Sequence, residues 1–319
     1  MPRKIIIMGL LMLLAFKPAC VFAQDKVVLK VGLLPIIESL PLAIGATQAE
    51  VSNANMSVQI EVFSTWTGLE AAYRTGIIDI AAMTAPKVIK MANRNIPLKI
   101  IMGLHRNGDM LVTNFSQDSA DSFRGTMIGV SGNDTGQLLL LAEFLKSKGL
   151  ELGPDVRYIA IPQTRALDLL RTEKIQGFLL SEPYGTMAQA EGIVKTAVPG
   201  VAIRDNFIDV VLMVNPLIIK RHSKELKQLV DAIKKSGQII EKDLKNSGGK
   251  QIAFSQFEIL GIDPEIVQKS LNNSASKIRF DDMRIKQEDL ENVEKQALDL
   301  GILDSAVNLA DIIDNQFSR

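Results

Sequence analysis

Residues 129–140 read Gly129-Val130-Ser131-Gly132-Asn133-Asp134-Thr135-Gly136-Gln137-Leu138-Leu139-Leu140, GVSGNDTGQLLL. An apolar run, Met127 to Val130, enters a glycine-rich polar turn and leaves it as leucines at helical spacing. A strand feeding a helix through a short polar turn is the repeating unit of α/β proteins, and the turn presents free backbone N–H groups and the positive end of the helix dipole. A nucleotide loop would need Gly-Lys-Ser/Thr or G-x-G-x-x-G, and neither is present. Ser131, Asn133, Asp134 and Thr135 each suit a helix N-cap, so a plain cap stands beside a ligand-contacting rim as a reading of this turn.

The same alternation extends from Val27 to about Val214. Apolar runs at Val27–Leu34, Val58–Phe63, Ile78–Met83, Lys99–Met102, Met110–Thr113, Met127–Val130, Val156–Ile161, Gly177–Leu180 and Val210–Val214 predict strands, with helical spacing between most of them. After Ser223 the pattern becomes amphipathic helix, broken at Ser247-Gly248-Gly249 and Gly261-Ile262-Asp263-Pro264. The expectation is an α/β protein with largely parallel sheets and a helical C-terminal third.

The N-terminus differs in kind. Arg3 and Lys4 precede the apolar run IIIMGLLMLLAF (5–16), and Val21-Phe22-Ala23 places small residues where a signal peptidase cleaves. Residues 1–23 therefore read as a secretory signal, too short in its apolar run to serve as a membrane span. Cys20 would be lipidated only if a Leu-like residue stood three places before it, and Lys17 stands there. Cleavage after Ala23 removes this single cysteine, so a mature chain has no disulfide, thiolate metal site or cysteine nucleophile.

Composition excludes other classes. The 36 basic residues balance 36 acidic ones, so no basic stripe points to nucleic acid. His105 and His222 are the only histidines, no G-x-S-x-G elbow is present, and no transition-metal spacing occurs. The expectation is no catalytic residue, no cofactor and no metal.

In open α/β sheets ligands bind beyond the carboxyl ends of the strands. The residues there are Ser39; Trp66 and Thr67; Thr84; Ser131, Asn133, Asp134 and Thr135; Gln163; and Glu182 with Tyr184. Six such turns, each combining small hydroxyl or amide groups with a helix start, predict a lined cleft. These eleven residues are the candidate ligand contacts.

The blocks VGLLPIIESLPLAIG (31–45), VFSTWTGLEAAYRTGIIDIAAMTAPKVI (62–89), FRGTMIGVSGNDTGQLLLLAEFLKSKGL (123–150), IPQTRALDLLRTEKIQGFLLSEPYGTMAQAEG (161–192) and LGILDSAVNLADIIDNQF (300–317), in this order, resemble the nitrate, sulfonate, taurine and thiamine-precursor solute-binding proteins of ABC importers. The resemblance implies a two-lobed periplasmic-binding-protein fold of type II with the ligand cleft between lobes. It implies lobes of 24–112 with 208–319 and of 113–207, with Met110–Thr113 and Val210–Val214 as the crossing segments. It further implies a periplasmic monomer whose partners are a small solute and an inner-membrane ABC permease, without enzymatic activity. A sensor domain, or an enzyme on the same fold, is the alternative. Arg106 and the helix N-termini suit an anionic or zwitterionic solute, and this is the preferred expectation. Trp66, Tyr184 and Glu182 suit a planar, amine-bearing molecule such as a pyrimidine. Relatives often carry small residues where Trp66 stands, so Trp66 is expected to narrow the pocket or stack on a planar ligand.

Overall fold

A computed structural model describes residues 26–317; the expected signal segment and Cys20 lie outside the described residues. Ten strands form two five-stranded sheets. The strands are β1 Val27–Leu33, β2 Met56–Val62, β3 Ile80–Thr84, β4 Lys99–Gly103, β5 Asp109–Thr113, β6 Met127–Val130, β7 Arg157–Ala160, β8 Gly177–Ser181, β9 Thr196–Pro199 and β10 Val210–Val214. The first sheet has the order β2-β1-β3-β10-β4 and the second β7-β6-β8-β5-β9. Each is mixed rather than largely parallel. In the first, β1 runs parallel to β2 and β3, and β10 runs antiparallel to β3 and β4. In the second, β6 is parallel to β7 and β8, and β5 is antiparallel to β8 and β9. The central strands β3, β5, β8 and β10 are buried along their whole length. Their continuous apolar sequences follow from cover on both faces.

The helices are α1 Leu40–Ser52, α2 Trp66–Arg74, α3 Ala85–Asn93, α4 Gly136–Ser147, α5 Ala166–Arg171, α6 Tyr184–Ala190, α7 Gly200–Ile203, α8 Pro216–Arg221, α9 Ser223–Ser247, α10 Lys250–Ser255, α11 Phe257–Leu260, α12 Pro264–Leu271, α13 Gln287–Asp299 and α14 Leu309–Ile312. Proline opens α1, α3, α8 and α12, where its missing N–H costs nothing. The long α9 packs along α1. Gly45 permits that approach: a Cβ there would lie 2.7–2.8 Å from the side chain and backbone of Ile233. The remaining C-terminal helices serve both sheets, with α12 against α6 and α13 against both α3 and α4. No described helix is long and apolar enough to cross a membrane.

Two expected crossing segments are corrected. Asp109–Thr113 is an inner strand of the second sheet and Val210–Val214 an inner strand of the first, because continuous apolar runs of this kind are buried strands. The chain passes between the sheets over residues 104–108 and 200–209. These crossovers are bonded to one another: Asn107 N donates to Phe207 O at 2.8 Å and Phe207 N donates to Asn107 Oδ1 at 3.1 Å. His105 Nδ1 lies 2.6 Å from Asn107 O, and Nε2 accepts from Val210 N at 3.1 Å. That pattern fixes a neutral ring protonated on Nδ1, and burial drives its pKa down to about 3.

Candidate functional site

Strand-end turns of the two sheets meet in pairs: those at Trp66 and Ser131 line one cavity, Thr84 meets Gly136, and Ile37 N donates to Glu182 O at 2.9 Å. Thr65 caps α2, its Oγ1 accepting from Gly68 N at 3.1 Å, and so sets Trp66 and Thr67 at the helix start. Trp66 is buried, and its indole Nε1 donates to Ser131 Oγ at 3.1 Å, from a helix beside the first sheet to a turn of the second. Thr67 and Asn133 are exposed on opposite rims. Asp134 sits 2.9 Å from Lys87 and 3.5 Å from Lys90, and Lys87 also reaches Glu70 at 3.1 Å. Trp66, Thr67, Lys87 and Lys90 on one side and Ser131, Asn133, Asp134 and Pro162 on the other line a cavity of about 310 Å³.

Thr135 takes the N-cap position of α4, but its hydroxyl donates to Gly132 O at 3.1 Å and is spent inside its own turn. The next residue makes the closer contact. Gly136 N donates to Asp209 Oδ1 at 3.1 Å and to Thr84 Oγ1 at 3.2 Å, while Thr84 Oγ1 donates to Asp209. A Cβ at residue 136 would fall 2.2 Å from Asp209 Oδ1, so glycine is required there by proximity.

Behind Trp66 the network runs inward. Ser131 Oγ donates to Gln137 Oε1 at 2.7 Å; Gln137 Nε2 lies 2.6 Å from Asp109 Oδ1, 2.7 Å from Asp209 Oδ2 and 3.1 Å from Ser181 Oγ. Glu182 accepts from Thr186 N and Thr186 Oγ1, both at 2.9 Å, and from Asn273 Nδ2 at 3.1 Å. Tyr184 begins the helix whose Thr186 donates to Glu182, and it is buried.

Several buried polar atoms have no hydrogen-bond partner among the described residues: both oxygens of Glu38, Ser39 Oγ, Asp109 Oδ2 and both amide atoms of Gln163. Glu38 and Ser39 are fully buried and Gln163 is 2 % exposed. An unsatisfied buried polar group costs about 1–3 kcal/mol, so these atoms call for ordered water or a bound molecule as a partner. The carboxyl pKa values respond to the same burial. Glu38 is raised well above the usual range by desolvation, then by the charges of Asp109, Asp209 and Glu182. Asp109 and Asp209 are both raised, first by burial, and Glu182 is pushed up to about 7 by burial against its hydrogen bonds. Burial and nearby Glu38 raise Tyr184.

Arg106, expected to favour an oxyanion, is elsewhere. Its guanidinium is fully buried and bonds Asp289, Asp282, Asn206 O and Arg284 O, tying the first crossover to the C-terminal region. Glu38, Asp109, Gln137, Lys87 and Asp209 were missing from the sequence-based set. Asp109 and Asp209 each stand immediately before an apolar run, in NGDMLVT and FIDVV, and an acid in that place is the signal available in the sequence. A larger groove of about 690 Å³ runs between α4 and α13, but none of the unpartnered buried atoms lies among its lining residues. Among the described residues no group of three or more His, Cys, Asp or Glu could hold a metal ion.

Solved structures share this architecture. The periplasmic nitrate-binding protein NrtA from Synechocystis PCC 6803 superposes with a TM-score of 0.80 at 13% identity, covering 92% of this chain and 88% of that one. A ligand-binding component of an ABC-type import system from Staphylococcus aureus gives 0.78 at 18% identity, over 92% and 98%. The alkanesulfonate-binding protein SsuA from Xanthomonas axonopodis pv. citri gives 0.75 at 13% identity, over 92% and 100%. These likenesses establish the two-lobed α/β periplasmic-binding-protein fold. A curated relative, the nitrate import ATP-binding protein NrtC of Synechococcus elongatus, is 23% identical over 54% of this chain, which spans 29% of that protein's length. Residues 23–253 match the NMT1-like family, and the chain belongs to that family.

Proposed function

We propose that the protein is the periplasmic solute-binding component of an ABC importer, a non-enzymatic monomer that closes around a small solute and docks on a permease. The observations that support this reading are the nearness of Glu38 and Asp109, whose buried oxygens lack partners and which belong to opposite sheets, and the Trp66–Ser131 bond that joins the sheets. A solute touching both lobes at once stabilises the closed form, which is ligand-biased hinge closure. The lobes drawn as 24–112 with 208–319 and as 113–207 are proposed with boundaries moved to the crossovers at 104–108 and 200–209. Ser39, Gln163, Glu182, Tyr184, Trp66, Thr67, Ser131, Asn133 and Thr84 are proposed as the surroundings of the solute, with Asp134 holding the rim through Lys87 and Thr135 shaping the turn. The nitrate- and alkanesulfonate-binding neighbours and the ligand-binding component of an import system support solute binding for import as the activity.

Native mass spectrometry of the protein isolated from its host periplasm tests the reading, together with stimulation of the cognate permease's ATPase. The expected result is a small molecule released unchanged on unfolding, and ATPase stimulation by the loaded form. Conversion of that molecule by the protein, or coupling to a signalling kinase without transport, would overturn it.

A further inference from the structure

The sequence pointed to an anionic or zwitterionic solute, yet the interior of the site is acidic. Glu38, Asp109, Glu182 and Asp209 are all buried within electrostatic reach of one another, and Tyr184 adds a phenol beside Glu38. The two buried cationic side chains nearest the region are both engaged elsewhere. Lys87 is held by Glu70 and Asp134 at the rim, and Arg106 by Asp282 and Asp289 behind the crossover. A nitrate or sulfonate in this interior would face four carboxyl groups with no uncommitted cation.

The unpartnered atoms agree with the charge. Glu38 Oε1, Glu38 Oε2 and Asp109 Oδ2 can only accept hydrogen bonds when ionised, and Gln163 Oε1 accepts as well; Ser39 Oγ can do either, and Gln163 Nε2 is the one unpartnered donor beside them. The Glu38 carboxylate is also pressed against the crossover, since a Cβ on Gly108 would lie 3.0 Å from Oε1. This carboxyl group therefore sits at the crossover between the sheets. No metal-ligand grouping exists among the described residues, so an organic donor answers the acid cluster better than an ion.

We propose that the cleft binds a small organic cation carrying several N–H donors, an amine, guanidine or amidine, whose charge is met by Glu38 and Asp109. This rests on the solute-receptor reading above and names its ligand class. Binding such a molecule neutralises charge that the empty cleft must otherwise suppress by protonation, so one group trades stability for affinity.

The test uses the emission of the lone Trp66, which sits at the closing rim, and the thermal midpoint of the purified protein. The probes are 1,4-diaminobutane, agmatine and benzamidine on one side and nitrate, ethanesulfonate and taurine on the other, at pH 8. The expected result is a saturable response to at least one amine, guanidine or amidine and none to nitrate or ethanesulfonate. Glu38→Gln and Asp109→Asn should weaken that response tenfold or more, while Glu38→Gln raises the midpoint of the free protein. A merely structural Glu38 would move affinity and midpoint in the same direction. A response to nitrate or ethanesulfonate, with the amine, guanidine and amidine probes inert, overturns the ligand class and leaves the receptor reading standing. Release of an anionic molecule from the natively isolated protein does the same. If no probe acts and the isolated protein releases nothing, both readings fall.

Discussion

Trp66 Nε1 and Ser131 Oγ, 65 residues apart in sequence, are hydrogen-bonded at 3.1 Å across the cleft between the two sheets. The bond exists only when the lobes are together, so its strength contributes to closure and not to the stability of either lobe.

Ser131→Ala removes the bond from Trp66 Nε1 and the bond to Gln137 Oε1; the first should weaken solute binding about two- to thirteenfold, the value of a net hydrogen bond of about 0.5–1.5 kcal/mol, and the second should lower the thermal midpoint of the free protein. Isothermal titration with the native solute measures it. Unchanged affinity would show that the indole bond plays no part in the bound state.

The ion pair at the rim is the second closing contact. The Lys87 side chain is 5% exposed, and its partners Glu70 and Asp134 are 15% and 14% exposed. Lys87→Met leaves both carboxylates without their nearest cation and should shift the closed form by about 2 kcal/mol toward open, within the range for charge-assisted bonds. Small-angle scattering should show a larger radius of gyration in the solute-loaded variant than in the loaded wild type.

Gly136→Ala should disrupt the turn that opens α4. The added Cβ would meet Asp209 Oδ1 at 2.2 Å and displace the bonds that Gly136 N makes to Asp209 and Thr84. A cost of about 2–4 kcal/mol is expected, read as a lowered midpoint in urea unfolding with an unchanged slope. An equal midpoint would mean that the crossover yields freely.

Arg106→Leu should cost about 3–5 kcal/mol, because it strands Asp282 and Asp289 beside a buried apolar side chain. It lies outside the cleft, so discrimination among solutes by those molecules that still fold should be unchanged. Comparing relative affinities for two solutes separates this effect from a contact with the ligand.

The pH dependence of stability follows from the buried acids. Glu38, Asp109, Glu182 and Asp209 all hold protons more tightly folded than unfolded, so the native state binds more protons between about pH 4 and the raised values. Stability of the free protein should therefore rise as pH falls from 9 to 6.5. Below 6.5 His105 works the other way: its depressed pKa makes the unfolded chain the better proton acceptor, so its contribution fades as pH drops toward 3. Differential scanning fluorimetry across pH 5–9 should find stability still rising toward the acid end, less steeply below 6.5 where His105 offsets one of the four carboxyls, and His105→Gln should steepen that rise.

The alternation of strands and helices was legible in the sequence, because period and breakers are local. All nine expected strands coincide with observed ones once their ends are shifted by a residue or two. The missed strand Thr196–Pro199 is four residues long, ends in proline and lies at a sheet edge, where a weak pattern suffices. Which strands belong to which sheet was not legible, since Asp109–Thr113 and Val210–Val214 reverse direction relative to their neighbours and pair across long sequence distances. The site divides in the same way. Turn residues such as Trp66, Ser131 and Gln163 follow strands and could be picked out, whereas Asp109 opens a strand, Asp209 precedes one and Gln137 lies inside a helix that reads as apolar. The role of Arg106 depended on partners at 282 and 289, far along the chain.

The amide of Gln137 has one end that gives and one that takes, and both are committed. Trp66 gives to Ser131, Ser131 gives to Gln137, and Gln137 gives to Asp109 and Asp209. The circuit thus has a fixed polarity, with every proton pointing from the rim to the floor and none returning. Reversing the amide would set its two N–H groups against the Ser131 hydroxyl and its oxygen against two acids, so the polarity cannot be inverted by a side-chain flip. A guest arriving at the floor meets acids whose orientation the amide has already set, and selectivity is written into the direction of the wiring before any single contact is made.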